Sequence, residues 1–512
     1  MLLAEVVRTH AAVAATRSRL RKRELLADAL RAAEPGEEVE VVASFLSGRP
    51  RQRRTGVGWR SLAELPPAAV EPTLTPLDVD DALEDLSRLA GAGSQAARAA
   101  AVAELFTLAT ADEQDFLRRL MLGELRQGAL DSLLLDAIAA AADVPLKTVR
   151  RAAMFSALSG PIARAALTGG AAALEDFRLE VGRPVRPMLA SSAPDVAAAL
   201  ERFGGATVAA DLKLDGIRVQ VHKSGRDVAV FTRSLDDVTE RLPEVVELAR
   251  SLDAVHAVLD GEAIALDDAG RPRPFQETIA RTGSHDAEAH AGTTPLTAYF
   301  FDVLHLDGSD LVDAPARERL EALERAVPPA GVVPRRVTAD AGEIADFFAE
   351  TVAAGHEGLV IKDLDAPYEA GRRGAAWVKV KPRHTLDLVV LAVEQGSGRR
   401  QGWLSNIHLG ARDPATGGFV LLGKTFKGMT DEMLEWQTKR FTELETHRSQ
   451  GGQVVHVRPE QVVEIAFDGI QRSSRYPGGV ALRFARVLRY RDDKTADEAD
   501  TIDTVRSLAG LG

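Results

Sequence analysis

The spacing of apolar residues changes near Gly182, and that change divides the chain into parts that must fold differently. Residues 1–175 are rich in Ala and Leu and carry no strand signals. Within them, Ser94 to Leu125 and Ala129 to Leu158 repeat apolar residues every three or four positions, which predicts amphipathic helices. Residues 48–59 (Gly, Arg) and 65–77 (four prolines) read as breaks. From Ala206 onward short period-two runs take over, at 206–212, 217–222, 227–233, 255–266, 296–306, 358–362 and 376–381. Helical patterns intervene near 236–252, 313–326 and 342–354. This predicts an α+β domain on antiparallel sheets. After Pro382, strand patterns at 386–394, 404–411, 418–425 and 461–467, with a helix near 430–443, suit a small β-barrel of the OB type. The expected division is 1–175, all-α; 183–382, α+β; and 383–512, barrel, with Arg183 to Ala190 as the linker.

No apolar run approaches the ~20 residues of a membrane helix. The N-terminus lacks an apolar core ending in a small-residue cleavage site. A cytoplasmic protein is the expectation, nucleoid-associated if bacterial. The absence of cysteine excludes disulfides and thiolate zinc sites. The net charge of −12 argues at first against a nucleic-acid partner, but the average hides local patches. Between Gln471 and Lys494 seven basic residues face two acidic ones, and Arg49, Arg51, Arg53, Arg54 and Arg60 form a second cluster. Phosphate binding depends on local density, so the total does not decide the matter.

The chemistry begins at Lys213-Leu214-Asp215-Gly216-Ile217-Arg218, at the end of a strand. A lysine held there can attack a phosphate once nearby cations or a metal depress its pKa. Alone, Lys-x-Asp-Gly is short, occurs by chance, and is more often a surface lysine before a β-turn. Further blocks add weight. Arg233 closes the third strand. Leu259-Asp260-Gly261-Glu262 repeats the strand–Asp–Gly device and offers a carboxylate. Phe301 sits in a strand and either stacks on a purine or packs in the core. Glu357 opens an apolar strand; with Glu262 it can hold Mg²⁺, which takes oxygen ligands and keeps several waters. Lys379 and Lys381, two apart on one strand, put two cations on one face, which a triphosphate would satisfy.

The ordered set Lys213-x-Asp-Gly, Arg233, Asp-Gly-Glu262, Phe301-Asp, Glu357-Gly and Lys379-x-Lys381 resembles the covalent nucleotidyltransferases. More narrowly it looks like an ATP-dependent DNA ligase of the three-domain cellular type. Arg483-Phe484-Ala485-Arg486-Val487-Leu488-Arg489 through Lys494 resembles that family's C-terminal motif. Gly123-Glu124-Leu125-Arg126-Gln127-Gly128 is similar to a segment of its helical DNA-binding domain. The resemblance implies that Lys213 carries AMP and that Asp211, Arg218, Arg233, Glu262, Phe301, Arg373 and Lys379 surround ATP. Phe301 would stack on adenine, and Lys379 and Lys381 would hold the α-phosphate region. Arg126, Arg483, Arg486 and Arg489 would contact DNA. Arg372 competes with Arg373 for its role. Asp211 stands where many members have Glu, and Ala485 where proline is common.

The implied reaction takes AMP from ATP, passes it to a 5′-phosphate, and lets a 3′-hydroxyl displace it. The implied partners are ATP, Mg²⁺ and nicked double-stranded DNA. A monomer is expected, serving replication, repair or recombination. A GTP-using capping enzyme has the same lysine chemistry but not this helical domain. An NAD-dependent ligase carries a four-cysteine zinc module that this chain lacks. An RNA ligase usually lacks the N-terminal domain, and a non-catalytic DNA-binding scaffold remains the reading from another class.

Overall fold

The computed structural model describes residues 1–509 apart from 53–54, 92, 126–130, 274, 284–294 and 372. Nine α-helices among the described residues, from Leu3–Ala15 to Gly160–Glu175, enclose one apolar core that includes Leu30, Phe45, Phe106, Leu117 and Ile138. The two long helical patterns are each broken. The first stops at Leu108 because Thr110 starts a new helix, Ala111–Met121, with Glu113 bonding back to the Thr110 N–H at 2.9 Å. The second divides into Asp131–Ala142 and Leu146–Met154. Asp143 turns left-handed there and Pro145 cannot continue a helix. Apolar spacing alone cannot see such a break, because both halves keep the same period.

The second region holds two sheets. One has the order β4-β3-β5-β6-β7 and is antiparallel throughout, with β3 Ile217–Ser224, β4 Asp227–Thr232, β5 His256–Ala265, β6 Leu296–Leu306 and β7 Ser309–Asp310. The other has the order β1-β10-β9-β2-β8, with β1 Leu189–Ala193, β2 Val208–Lys213, β8 Arg335–Thr338, β9 Gly358–Asp363 and β10 Arg373–Val380. The pairs β10-β9, β9-β2 and β2-β8 are antiparallel, as expected, while the edge strand β1 lies parallel to β10. Helices Pro243–Ser251 and Ala316–Ala326 cover the first sheet, and Val196–Leu200 and Ala341–Ala353 the second. The inner faces of the two sheets therefore look at each other, and the strand ends between them are where reactive side chains collect.

The third region is antiparallel. Strand β11 (His384–Gln395) pairs along its first half with β16 (Val462–Phe467) and along its second half with β15 (Val454–Val457). A strand that serves two neighbours on one edge must bend, as a small closed barrel requires. Strands β12 (Leu404–Arg412), β13 (Phe419–Thr425), β14 (Glu445–Arg448) and β19 (Arg486–Tyr490) complete that sheet, while β17 (Gly469–Arg472) and β18 (Val480–Arg483) form a separate hairpin. Helix Asp431–Glu443 plugs one side with Leu434 and Phe441. Among the described residues no helix is long and apolar enough to cross a membrane.

The expected linker is not free chain. Val185 and Met188 are buried, and Gln220 grips the Val185 peptide from both sides, at 2.7 and 3.0 Å. His222 Nδ1 accepts the Gly182 N–H at 3.0 Å, so Nε2 carries the proton and meets Gln220 Oε1 at 2.9 Å. Burial, then repulsion from His305, pushes the His222 pKa down to about 3. The folded pKa lies below the unfolded value, so acid protonates the unfolded chain first. Stability is complete above about pH 6.5 and falls by about 1.4 kcal/mol per pH unit below it. Urea titrations should show wild type losing about 2 kcal/mol between pH 6.5 and 5 relative to His222→Gln; parallel curves for the two proteins would refute this account.

Candidate active site

Lys213 ends β2, opposite Gly358 of β9. Two glycines let the chain close around it. A Cβ on Gly216 would meet the Ala263 carbonyl oxygen at 2.4 Å, so the turn after the lysine can press on β5 only without a side chain. Gly358 has φ +132°, and a Cβ there would strike the Val380 carbonyl oxygen at 2.1 Å. These contacts account for Asp-Gly after the lysine and for Gly after Glu357. They seat Lys213 in a cavity of about 810 Å³ whose lining includes Asp211, Arg218, Arg233, Glu262, Phe301, Lys362, Trp377 and Lys379.

The protein's own groups do not by themselves depress the Lys213 pKa. Burial does push the ammonium down, but Glu357, Glu262 and Asp215 outweigh it and the net shift is upward. Glu357 pairs with both Lys213 and Lys381. Burial raises the Glu357 pKa, the two lysines lower it more, and the carboxylate stays charged. Glu262 accepts the Gly216 N–H at 3.0 Å, and its burial raises its pKa. Without a nucleotide, this site holds a protonated lysine.

One wall of the cavity is aromatic and cationic. Phe301 and Trp377 meet edge to face at 5.9 Å, and the Arg218 guanidinium lies 5.4 Å from the Phe301 centroid. Arg218 is clamped by Asp260 at 3.0 and 2.6 Å. Asp211 lines the cavity, yet its carboxylate is occupied by Arg335 at 2.5 Å and Lys362 at 2.7 Å. Burial raises the Asp211 pKa, and these cations more than cancel that. The sequence reading passed over Arg335, Lys362, Trp377, Asp260 and Tyr368. Asp260 lies inside a quoted motif, and Lys362 and Trp377 lie in the strand patterns at 358–362 and 376–381, so their signal was present; Arg335 and Tyr368 had none.

The other named residues are spread out. Arg233 lies just past β4, is exposed, and also lines a second cavity of about 900 Å³ with Arg49 and Gln52 from the helical side and Arg186 from the linker. Lys381 does not line the nucleotide-sized cavity; it turns to Glu357 and to Asp468 of the barrel at 3.6 Å. The Arg373 side chain and Arg126 fall outside the described residues, as do Arg53 and Arg54. Arg483 reaches across from the barrel to Asp215 at 3.0 Å and lies over Phe275. Arg486 stands 3.6 Å from Asp468, and Arg489 pairs with Glu464 on the neighbouring strand. Arg51, counted in the basic cluster, is instead a structural tie to the buried Asp80.

Three family models cover the same regions: the DNA ligase N terminus at 64–139, the ATP-dependent DNA ligase domain at 187–381, and the ATP-dependent DNA ligase C-terminal region at 400–494. A probable DNA ligase of Beutenbergia cavernae is 65% identical over 518 residues, covering 100% of both chains. The chain belongs to the ATP-dependent DNA ligase family. A probable DNA ligase of a Nocardioides species is also 65% identical, over 100% of this chain and 99% of that one. The solved structure Pmar-Lig_PreS3 shares the fold, with a TM-score of 0.62 at 18% identity over 95% of this chain and 99% of its own. The helical, two-sheet and barrel regions are thus the three parts of an ATP-dependent DNA ligase.

For a ligase, the acidic side of the cavity bears on magnesium. Glu262, on the cavity wall, and Glu357, which does not line the cavity but contacts Lys213, are hard oxygen donors on either side of that lysine. Among the described residues no cluster of three or more His, Asp or Glu side chains forms a cage of its own. Two carboxylates completed by phosphate and water is the usual way Mg²⁺ is held, so the donor set fits.

Proposed function

We propose that this ligase seals nicks in duplex DNA through a lysyl-adenylate on Lys213. The observation that carries the reading is the convergence on one cavity of Lys213, Arg218, Glu262, Phe301 and Lys379, drawn from β2, β3, β5, β6 and β10. In the first step Lys213 Nζ bonds the α-phosphorus of ATP and the bond to pyrophosphate breaks. Lys213 must first shed its proton, and Glu357, in contact with it, is placed to accept or relay it. Phe301 stacks on the base, and Arg218 and Arg233 face the sugar side. Lys379 offsets phosphate charge, with Lys381 beside it through Glu357. A magnesium ion held by Glu262, Glu357 and phosphate oxygens would neutralise further charge.

In the second step an oxygen of the 5′-phosphate takes the adenylate; the P–N bond breaks and Lys213 regains a proton. In the third the 3′-hydroxyl attacks the activated phosphorus, forming the phosphodiester and releasing AMP. Arg49 and Arg233, from different domains, line one groove and form no ion pair among the described residues. They would bind backbone phosphates, so sequence preference should be slight. Arg486 and Arg489 would join them when the barrel turns to the duplex. The enzyme would act as a monomer in replication, repair or recombination.

The test is intact mass after incubation with ATP and magnesium, with peptide mapping. An AMP adduct at Lys213 that disappears on adding nicked duplex is expected. An adduct from GTP and not ATP, or none at position 213, overturns the proposal.

A further inference from the structure

Tyr368 lies between the sheets, 1% exposed, outside every motif that the function uses. Its hydroxyl donates to Asp260 Oδ2 at 2.6 Å and accepts from the Met188 N–H at 3.0 Å and from Arg218 Nη2 at 3.3 Å. Burial, then the Asp260 charge, holds its pKa well above the usual tyrosine value, so the proton stays on. A guanidinium has five N–H groups. On Arg218, Asp260 takes Nε and Nη2, the Met188 carbonyl takes Nη1 at 2.7 Å, and Tyr368 takes the second Nη2 proton. One Nη1 N–H remains uncommitted among the described residues, and Arg218 lines the cavity.

The ring is fixed as well as the hydroxyl. Trp377 stands edge-on to Tyr368 at 5.8 Å and to Phe301 at 5.9 Å, so the three rings form one edge-to-face series that starts at the cavity wall and ends at Tyr368. Asp260, on β5, and the Met188 carbonyl hold three of the Arg218 N–H groups. The tyrosine supplies a fourth contact, and the same hydroxyl ties Asp260 Oδ2 to the Met188 N–H, so carboxylate, guanidinium and peptide are fixed to one another.

We propose that Tyr368 is the positioning residue for Arg218, its hydroxyl locking the guanidinium so that one N–H stays directed to the nucleotide. This rests on the reading of the cavity as the ATP site. Tyr368 itself touches no reacting atom; it acts through Arg218 and Asp260.

The experiment is adduct formation on Lys213 at varied ATP, under single-turnover conditions. Tyr368→Phe keeps the ring and removes the hydroxyl. It should raise the half-saturating ATP concentration about tenfold, the size of one lost hydrogen bond to a charged group, with the saturated rate within about twofold of wild type. In an Arg218→Lys background the same change should add nothing, because there is no fork left to aim. Should Tyr368→Phe fold poorly, Asp260→Asn loosens the same clamp from its other side and should show the same split and the same lack of additivity. A lowered melting temperature with unchanged ATP dependence makes Tyr368 structural only and overturns the proposal; so do effects that multiply with those of Arg218→Lys. If Arg218→Lys leaves ATP dependence unchanged, the proposal falls by itself, and an adduct still forming at Lys213 would leave the proposed function standing.

Discussion

Lys213→Ala should abolish sealing from ATP, by about 10⁴-fold or more, while still closing a nick whose 5′ end already carries AMP. In the proposed mechanism the amine is the nucleophile of the first step and the leaving group of the second, and it has no bond to make or break in the third. Removing it leaves Glu357 paired with Lys381, while Glu262 and Asp215 lose the cation that faced them. Melting temperature read beside activity separates a loss of fold from the loss of the nucleophile. Lys213→Arg should be equally inactive, because a guanidinium keeps its proton at any working pH. Gel assays with plain and pre-adenylated nicks separate the steps. Retained sealing from ATP by either variant would remove Lys213 from the mechanism.

Much of this site was legible because its chemistry sits at strand ends, where short motifs carry both the side chain and the turn that aims it. Asp215-Gly216 and Glu357-Gly358 are examples, since each glycine admits a backbone contact that a Cβ would block. The state of Lys213 was not legible. Sequence shows which charges exist, not which stand closest, and the carboxylates of Glu357 and Glu262 outweigh the cations expected to depress its pKa. Asp211 shows the same limit. The resemblance placed it among the residues around ATP, whereas its carboxylate is taken up by Arg335, 124 residues away in sequence. Strands β1, β8 and β14 were missed because each is only four or five residues long and is set by pairing, not by its own alternation. The helical breaks at Thr110 and Asp143 depended on caps that periodicity does not register.

The barrel's position leads to a second separation of steps. Arg483 meets Asp215 at 3.0 Å, two residues from Lys213, so the barrel closes over the cavity in this arrangement. The pair is partly exposed, 24% and 32%, and such a contact contributes at most about 1 kcal/mol. A closure held this lightly can open to admit a duplex, which the third step needs. The importance of Arg483 must then lie in its charge, placed above a site where a triphosphate gathers negative charge. Arg483→Ala should slow adduct formation from ATP about 10²-fold, while sealing of a pre-adenylated nick changes by less than about threefold. Asp215→Asn breaks the same ion pair but keeps the arginine, so its effect on adduct formation should be no more than about tenfold. Equal losses in the two variants would mean that the latch, not the charge, is what matters. Equal losses in adduct formation and in sealing by Arg483→Ala would mean that the barrel never leaves this position between steps.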